Sequence, residues 1–196
     1  MIKIITINKD ISDLYVPESD ILRYSGCRNC KDPKLTALCT ECLGELSQEL
    51  NLKAVYAEVD VTFSHNLADF GFCKAESASL RKFLGECKSA YIFAATIGLG
   101  ADRLINRYST LQPSKAVILD GCATAAIECW CDYICSEIFC VPAQERFSPG
   151  YGDLPLGMQT QILSFLGASL NIGLSMTDSM LLTPTKSVTA IVKKKD

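Results

Sequence analysis

Histidine is all but missing from this sequence: His65 is the single one in 196 residues. That leaves no basis for a histidine-centred triad or a histidine-rich zinc centre, and His65 itself reads as a solvated residue after a strand. Positive charge is also in short supply. The net charge is −3 and the isoelectric point about 5.3, with no basic stripe, which argues against nucleic-acid binding. The lysines at 193–195 read as a solvated tail. No uninterrupted apolar run reaches the roughly 20 residues of a membrane-spanning helix, so no membrane role is expected. Residues 1–7 are too short for the apolar core of a signal peptide, are interrupted by Lys3, and run straight into Asn8, Lys9 and Asp10. The eleven cysteines therefore read as thiols or metal ligands in a cytoplasmic protein rather than as disulfides. Gly98 and Gly100 lack the third glycine of a dinucleotide fingerprint and no βαβ rhythm follows, so they read as a strand-to-helix turn. Internal repeats and low-complexity linkers are absent.

What is present suits one domain over 1–196, with a core over 51–192 preceded by an elaboration over 1–50. Hydrophobic residues make up 48% of the chain and charged residues 21%, enough for a sizeable core. Leu35, Leu38, Leu43, Leu46 and Leu50 recur at helical spacing and predict an amphipathic helix over 33–50. Val55, Ala57, Val59, Val61 and Phe63 alternate, which predicts a half-buried strand over 54–63. The nearly wholly apolar run 90–97 predicts a buried strand. Further helices are expected over 21–24, 77–85, 101–108, 115–139 and 155–165. Short strands are expected over 2–7, 169–172 and 187–192, with a turn over 181–184. Strands and helices mix without alternating regularly, which favours an α+β fold over a doubly wound sheet.

The chemistry concentrates at 145–155. Pro149-Gly150 signals a turn, and Gly152 lets backbone approach a ligand. Asp153 is placed to cap a helix starting at Pro155. Arg146 offers a planar fork for a carboxylate or phosphate, and Tyr151 a flat face with a hydroxyl. In the predicted 115–139 helix, Glu128 shares a face with Gly121, Thr124, Ala125, Cys131, Asp132 and Cys135. Those side chains are mostly small, leaving room for a ligand or another backbone, while a solvated glutamate on a polar stripe is the plainer reading. Leu119, Cys122, Ala126, Trp130 and Tyr133 form the opposite, core-facing stripe. No lysine or arginine lies one turn from Glu128, so its partner is expected to be water, a distant side chain or a ligand cation. Arg146 and Glu128 together suit a zwitterionic amino acid.

Cys27-x2-Cys30-x8-Cys39-x2-Cys42 is a second constellation. Two such pairs can surround one zinc, or an iron–sulfur cluster; four ordinary thiols are the alternative. Cys129, Cys131, Cys135 and Cys140 do not share one face and read as small apolar residues.

The Arg146-x-x-Pro149-Gly150-Tyr151 loop resembles that of the activation domain of cobalamin-dependent methionine synthase, over roughly 91–192 and best at 146–156 and 167–192. The resemblance implies that domain's fold: a twisted, mainly antiparallel sheet with flanking helices. It also implies a stand-alone short form that binds S-adenosylmethionine (AdoMet) and supports reductive remethylation of a corrinoid. Carried over by residue, Arg146 would take the methionyl carboxylate, Ser148 and Gly150 would lie along the ligand, Tyr151 would pack on it, and Glu128 would contact it. The implied partners are a cobalamin-binding methionine synthase module or related corrinoid protein, and flavodoxin or ferredoxin. The chain lacks the Asp-x-His-x-x-Gly motif of cobalamin-binding modules, which places the corrinoid in the partner. An upstream acid and a C-terminal aromatic used in the longer family form have no clear counterpart here. Two other readings stay open: a docking module for a corrinoid protein that does not bind AdoMet, and a zinc or iron–sulfur redox accessory.

Overall fold

In a computed structural model, which describes residues 2–28, 30 and 32–194, the buried run expected at 90–97 lies inside a four-stranded sheet. Strand β1 (Ile4–Lys9) pairs with β2 (Leu52–Asp60), β2 with β6 (Ser89–Thr96), and β6 with β9 (Ser187–Lys193), all antiparallel. Both faces of the sheet are covered, which is why β6 runs apolar from Ala90 to Ala95 rather than alternating. Phe93 and Ala95 face one core with Leu52 and Ala54, whereas Ala90, Ile92 and Ala94 face another with Val55, Ala57 and Val59.

The first core lies under α5 (Pro113–Tyr133), which is flanked by α1 (Glu18–Tyr24), α2 (Pro33–Ser47) and α4 (Leu99–Leu111). The predicted stripe of Leu119, Cys122, Ala126 and Trp130 is fully buried against the sheet. Trp130 satisfies its indole by donating to Lys53 O at 3.1 Å. Residues 1–50 contribute the edge strand β1 and two helices packed around α5.

The second core lies under a small meander of β3 (Thr62–Ser64), β4 (Leu67–Asp69) and β5 (Lys74–Glu76). Helices α3 (Ala78–Leu84), α6 (Met158–Phe165) and α7 (Ala168–Ile172) complete that side. A two-stranded ribbon of β7 (Ser175–Met176) and β8 (Leu182–Thr183) precedes β9. The architecture is α+β with antiparallel sheets, as expected. No helix among the described residues is long and apolar enough to cross a membrane.

Several local expectations change. Residues 169–172 are helical: left-handed Gly167 and Gly173 bracket α7, and both ends of so short a segment are set by those turns. The 155–165 helix begins at Met158, after a turn in which Met158 donates to Pro155 O. The turn expected over 181–184 contributes β8 to the ribbon. The long helix stops being α-helical at Tyr133 and continues as one π-helical turn, Ile134–Ile138. His65 is exposed, in the turn between β3 and β4.

The 96–100 segment is the strand-to-helix turn anticipated. Gly98 precedes α4 at φ +86°, and a Cβ on Gly100 would lie 2.0 Å from the Glu49 carbonyl oxygen. The first turn of α4 thus packs directly on the backbone after α2. Gly100→Ala gains about 1 kcal/mol of helix propensity but forces that backbone apart, an overpacking cost of about 1–3 kcal/mol. Net destabilisation is the expected outcome, read as a lower denaturation midpoint at unchanged slope.

Candidate functional site

Residues 145–155 are anchored on both sides. Phe147 forms an isolated antiparallel bridge to Ile191: its N–H donates to Ile191 O (2.9 Å), and the Ile191 N–H donates to Phe147 O (2.8 Å). The loop therefore pairs with the outer edge of β9, which would otherwise be open. The Pro149-Gly150 turn closes through Tyr151 N–H to Ser148 O at 3.0 Å, with Gly150 at φ +90°.

Asp153 holds the far side, but not by capping its own helix as the sequence implied. It caps α3 instead. Oδ1 accepts from Ser77 Oγ (2.5 Å) and the Ser79 N–H (3.0 Å), and Oδ2 from the Ala78 N–H (2.8 Å). Gly152 permits this approach, since a Cβ there would sit 2.6 Å from Ser79 Oγ, at φ +55°. The Ser77 hydroxyl and the two N–H groups hold the Asp153 carboxyl well below its ordinary range. A depressed folded-state value stabilises the fold above the unfolded value near 3.8, and that stabilisation is lost as pH falls through the lower folded value. Asp153→Asn should therefore melt below wild type at pH 7, with the gap narrowing progressively below about pH 4. A gap independent of pH would separate the carboxylate charge from the effect.

Arg146 immediately precedes the bridge and turns toward α5. Its Nη1 donates to Asp132 Oδ1 and to Ala143 O (2.7 Å), and its Nη2 donates to Glu128 Oε2. The Arg146 side chain is 14% exposed, against 37% for Glu128 and 38% for Asp132. The helical face of small residues is used as follows. Gly121 admits the end of α1, with a would-be Cβ 3.1 Å from Ile21 O, and the carboxylates one turn apart on α5 admit the guanidinium. The π-helical turn makes this possible. Val141 N–H donates back to Cys135 O, which folds the chain toward α5 and delivers Arg146 to the acids.

A cavity of about 160 Å³ opens beside this pair, bordered by Glu128, Arg146, Ser148, Tyr151, Gln159 and Thr189. The expectation that Glu128 and Arg146 border one cavity holds. The expected gap between them does not exist, because Glu128 is paired with Arg146 itself, the distant side chain among the partners considered. Gly150 shapes the turn and does not line the cavity. Tyr151 is exposed and meets Phe147 edge-on at 5.9 Å. Gln159 and Thr189 are buried polar residues joined by a 3.4 Å hydrogen bond, and sequence reasoning missed both. Their signal was a polar residue inside a buried strand and another inside an apolar helix face. Larger hollows lie elsewhere, such as one of about 590 Å³ between α1, α4 and the start of α5, but they do not border Arg146.

No family model matches this sequence, and no curated protein does. Among solved structures, the crystal structure of the MetH reactivation domain bound to AdoHcy matches with a TM-score of 0.76 at 15% identity, covering 98% of this chain and 78% of that one. The chain has the fold of the MetH reactivation domain. Arg146, Glu128, Ser148 and Tyr151, singled out through the loop's resemblance, meet at one cavity of that reactivation-domain fold.

The four cysteines of the paired motif lie in different surroundings. Cys27 is half-buried, Cys30 exposed, and Cys39 and Cys42 lie in the core between α2 and α5. Among the described residues, no three His, Cys, Asp or Glu side chains form a group able to hold a metal ion. Packing on α2 turns Cys39 and Cys42 inward, where burial pushes the Cys42 thiol up to about 11. Of the later cysteines, Cys131 and Cys135 are buried as expected; Cys140 is exposed at φ +54°, where the chain leaves the π-helical turn.

Proposed function

We propose that this protein binds AdoMet at the Arg146 cavity and supports reductive remethylation of a corrinoid carried by a separate protein. That partner would be a cobalamin-binding methionine synthase module or a related corrinoid methyltransferase. The observation that carries the reading is the meeting of the Arg146 fork and the Glu128 carboxylate at one cavity in a MetH reactivation-domain fold.

The donor set fits the amino-acid end of AdoMet. Arg146 offers paired N–H groups for the carboxylate, and Glu128 an anion for the ammonium or sulfonium. Two carboxylates around one guanidinium leave the site net negative, which favours a cationic ligand. At about 160 Å³ the cavity is smaller than the roughly 300–1,000 Å³ that encloses a whole ligand. It takes the methionyl end, with the nucleoside lying outward along exposed Tyr151. Binding then exchanges partners: the ligand carboxylate replaces Glu128 on Nη2, and the released Glu128 takes the ammonium, so neither Arg146 nor Glu128 is left unpaired.

Bound AdoMet supplies a methyl group to a corrinoid reduced by one electron from flavodoxin or ferredoxin, leaving AdoHcy. The residues of this chain hold and orient the donor, and no side-chain proton transfer is required. A second reading, docking on the corrinoid protein without binding AdoMet, is favoured by the Glu128–Arg146 contact, which already satisfies the fork.

Calorimetry with AdoMet separates the two. Wild type should bind. Arg146→Lys keeps a cation between the acids but loses the planar fork, and should weaken binding by about 2 kcal/mol, roughly 30-fold. Absence of wild-type binding would select the docking reading, and equal affinities would show that the ligand does not need the planar fork of Arg146.

A further inference from the structure

We infer that Asp132 is the positioning residue that aims Arg146 at the ligand carboxylate, an inference that rests on the AdoMet reading above. Asp132 lies one helical turn after Glu128 on α5, so both carboxylates face the same guanidinium. Their places differ. Glu128 borders the cavity with Arg146; Asp132 is not among its lining residues. The two ends of the fork are also treated differently. A guanidinium Nη carries two hydrogens, and both of those on Nη1 have protein acceptors, Asp132 Oδ1 and Ala143 O. Nη2 is the end that meets the cavity-lining Glu128.

Ligand exchange at Nη2 therefore needs an anchor that does not move with Glu128. Asp132 is that anchor, held in the last turn of α5 and seconded by the Ala143 carbonyl on the loop. When Glu128 leaves Nη2 for the ligand ammonium, Asp132 and Ala143 O keep the guanidinium plane and its Nη2 edge toward the cavity. Without Asp132 the fork is free to turn about its remaining contacts. It also follows Glu128 more strongly, because the competing carboxylate is gone. Asp132 touches no ligand atom in this arrangement, and its effect passes entirely through Arg146. Its loss is felt most by ligands whose carboxylate uses the fork, and this distinguishes it from a residue that merely stabilises the helix.

Two ligands make the test: AdoMet, and decarboxylated AdoMet, which keeps the amine, the sulfonium and the nucleoside. Asp132→Ala and Asp132→Asn should lower AdoMet affinity about tenfold, while decarboxylated AdoMet, which loses only the attraction of the missing negative charge, is weakened clearly less. Asp132→Glu, which restores the charge, should recover part of the loss. Asp132→Asn keeps the shape and one acceptor, so it serves if the alanine variant does not fold. Unchanged AdoMet affinity in the asparagine variant overturns the inference, as does an equal loss for both ligands, the mark of a structural role. Failure of the wild-type protein to bind AdoMet overturns the functional reading itself, and the positioning role with it.

Discussion

A guanidinium that is mostly buried must be surrounded by acceptors, and the site region is built around meeting that demand for Arg146. Its acceptors include two carboxylates on α5 and one carbonyl on the loop that carries it. To bring them together, the chain must leave α5 and double back within a dozen residues. The π-helical turn at Ile134–Ile138, the left-handed Cys140 and the return through Val141 perform that reversal. The same ion pair borders the cavity, so the feature that stabilises the loop also shapes the site.

Helix α5 serves both sides of this arrangement. One stripe, running through Leu119, Ala126 and Trp130, is committed to the sheet, and that commitment fixes the helix's rotation. With rotation fixed, Glu128 and Asp132 must point toward the returning loop, and Gly121 toward α1. A carboxylate pair on a helix held this way is a rigid platform, and sites built on such elements keep their geometry better than sites built on loops alone.

The loop is made comparably rigid by its attachments. Its upstream half is hydrogen-bonded to β9 through Phe147 and Ile191, and its downstream half to the start of α3 through Asp153. The cavity between them is walled by β9 and α6, which supply Thr189 and Gln159. The start of α3 and the sheet edge, remote from Arg146 in sequence, thus hold the geometry at its tip.

The elements were legible wherever one physical signal dominated. The run at 90–97 is a central strand because both of its faces are buried, and a strand buried on both faces has no polar positions to alternate. The leucine spacing of α2 and the Ala126–Trp130 stripe were legible for the equivalent helical reason. Short segments bounded by glycine, such as 168–172, were not, because five residues carry too little periodicity to separate strand from helix. Of the site, Arg146, the Pro149-Gly150 turn and the carboxylate face of α5 could be read from residue types alone. That Glu128 has Arg146 as its partner, that Asp153 caps α3 rather than its own helix, and that Gln159 and Thr189 complete the cavity were decided by tertiary structure. Each depends on which distant backbone arrives at a given side chain, and local sequence carries no record of that arrival. The cysteine pairs show the same limit from the other direction: their spacing permits a shared metal, but the burial of Cys39 and Cys42 on the inner face of α2 gives those two thiols to the core.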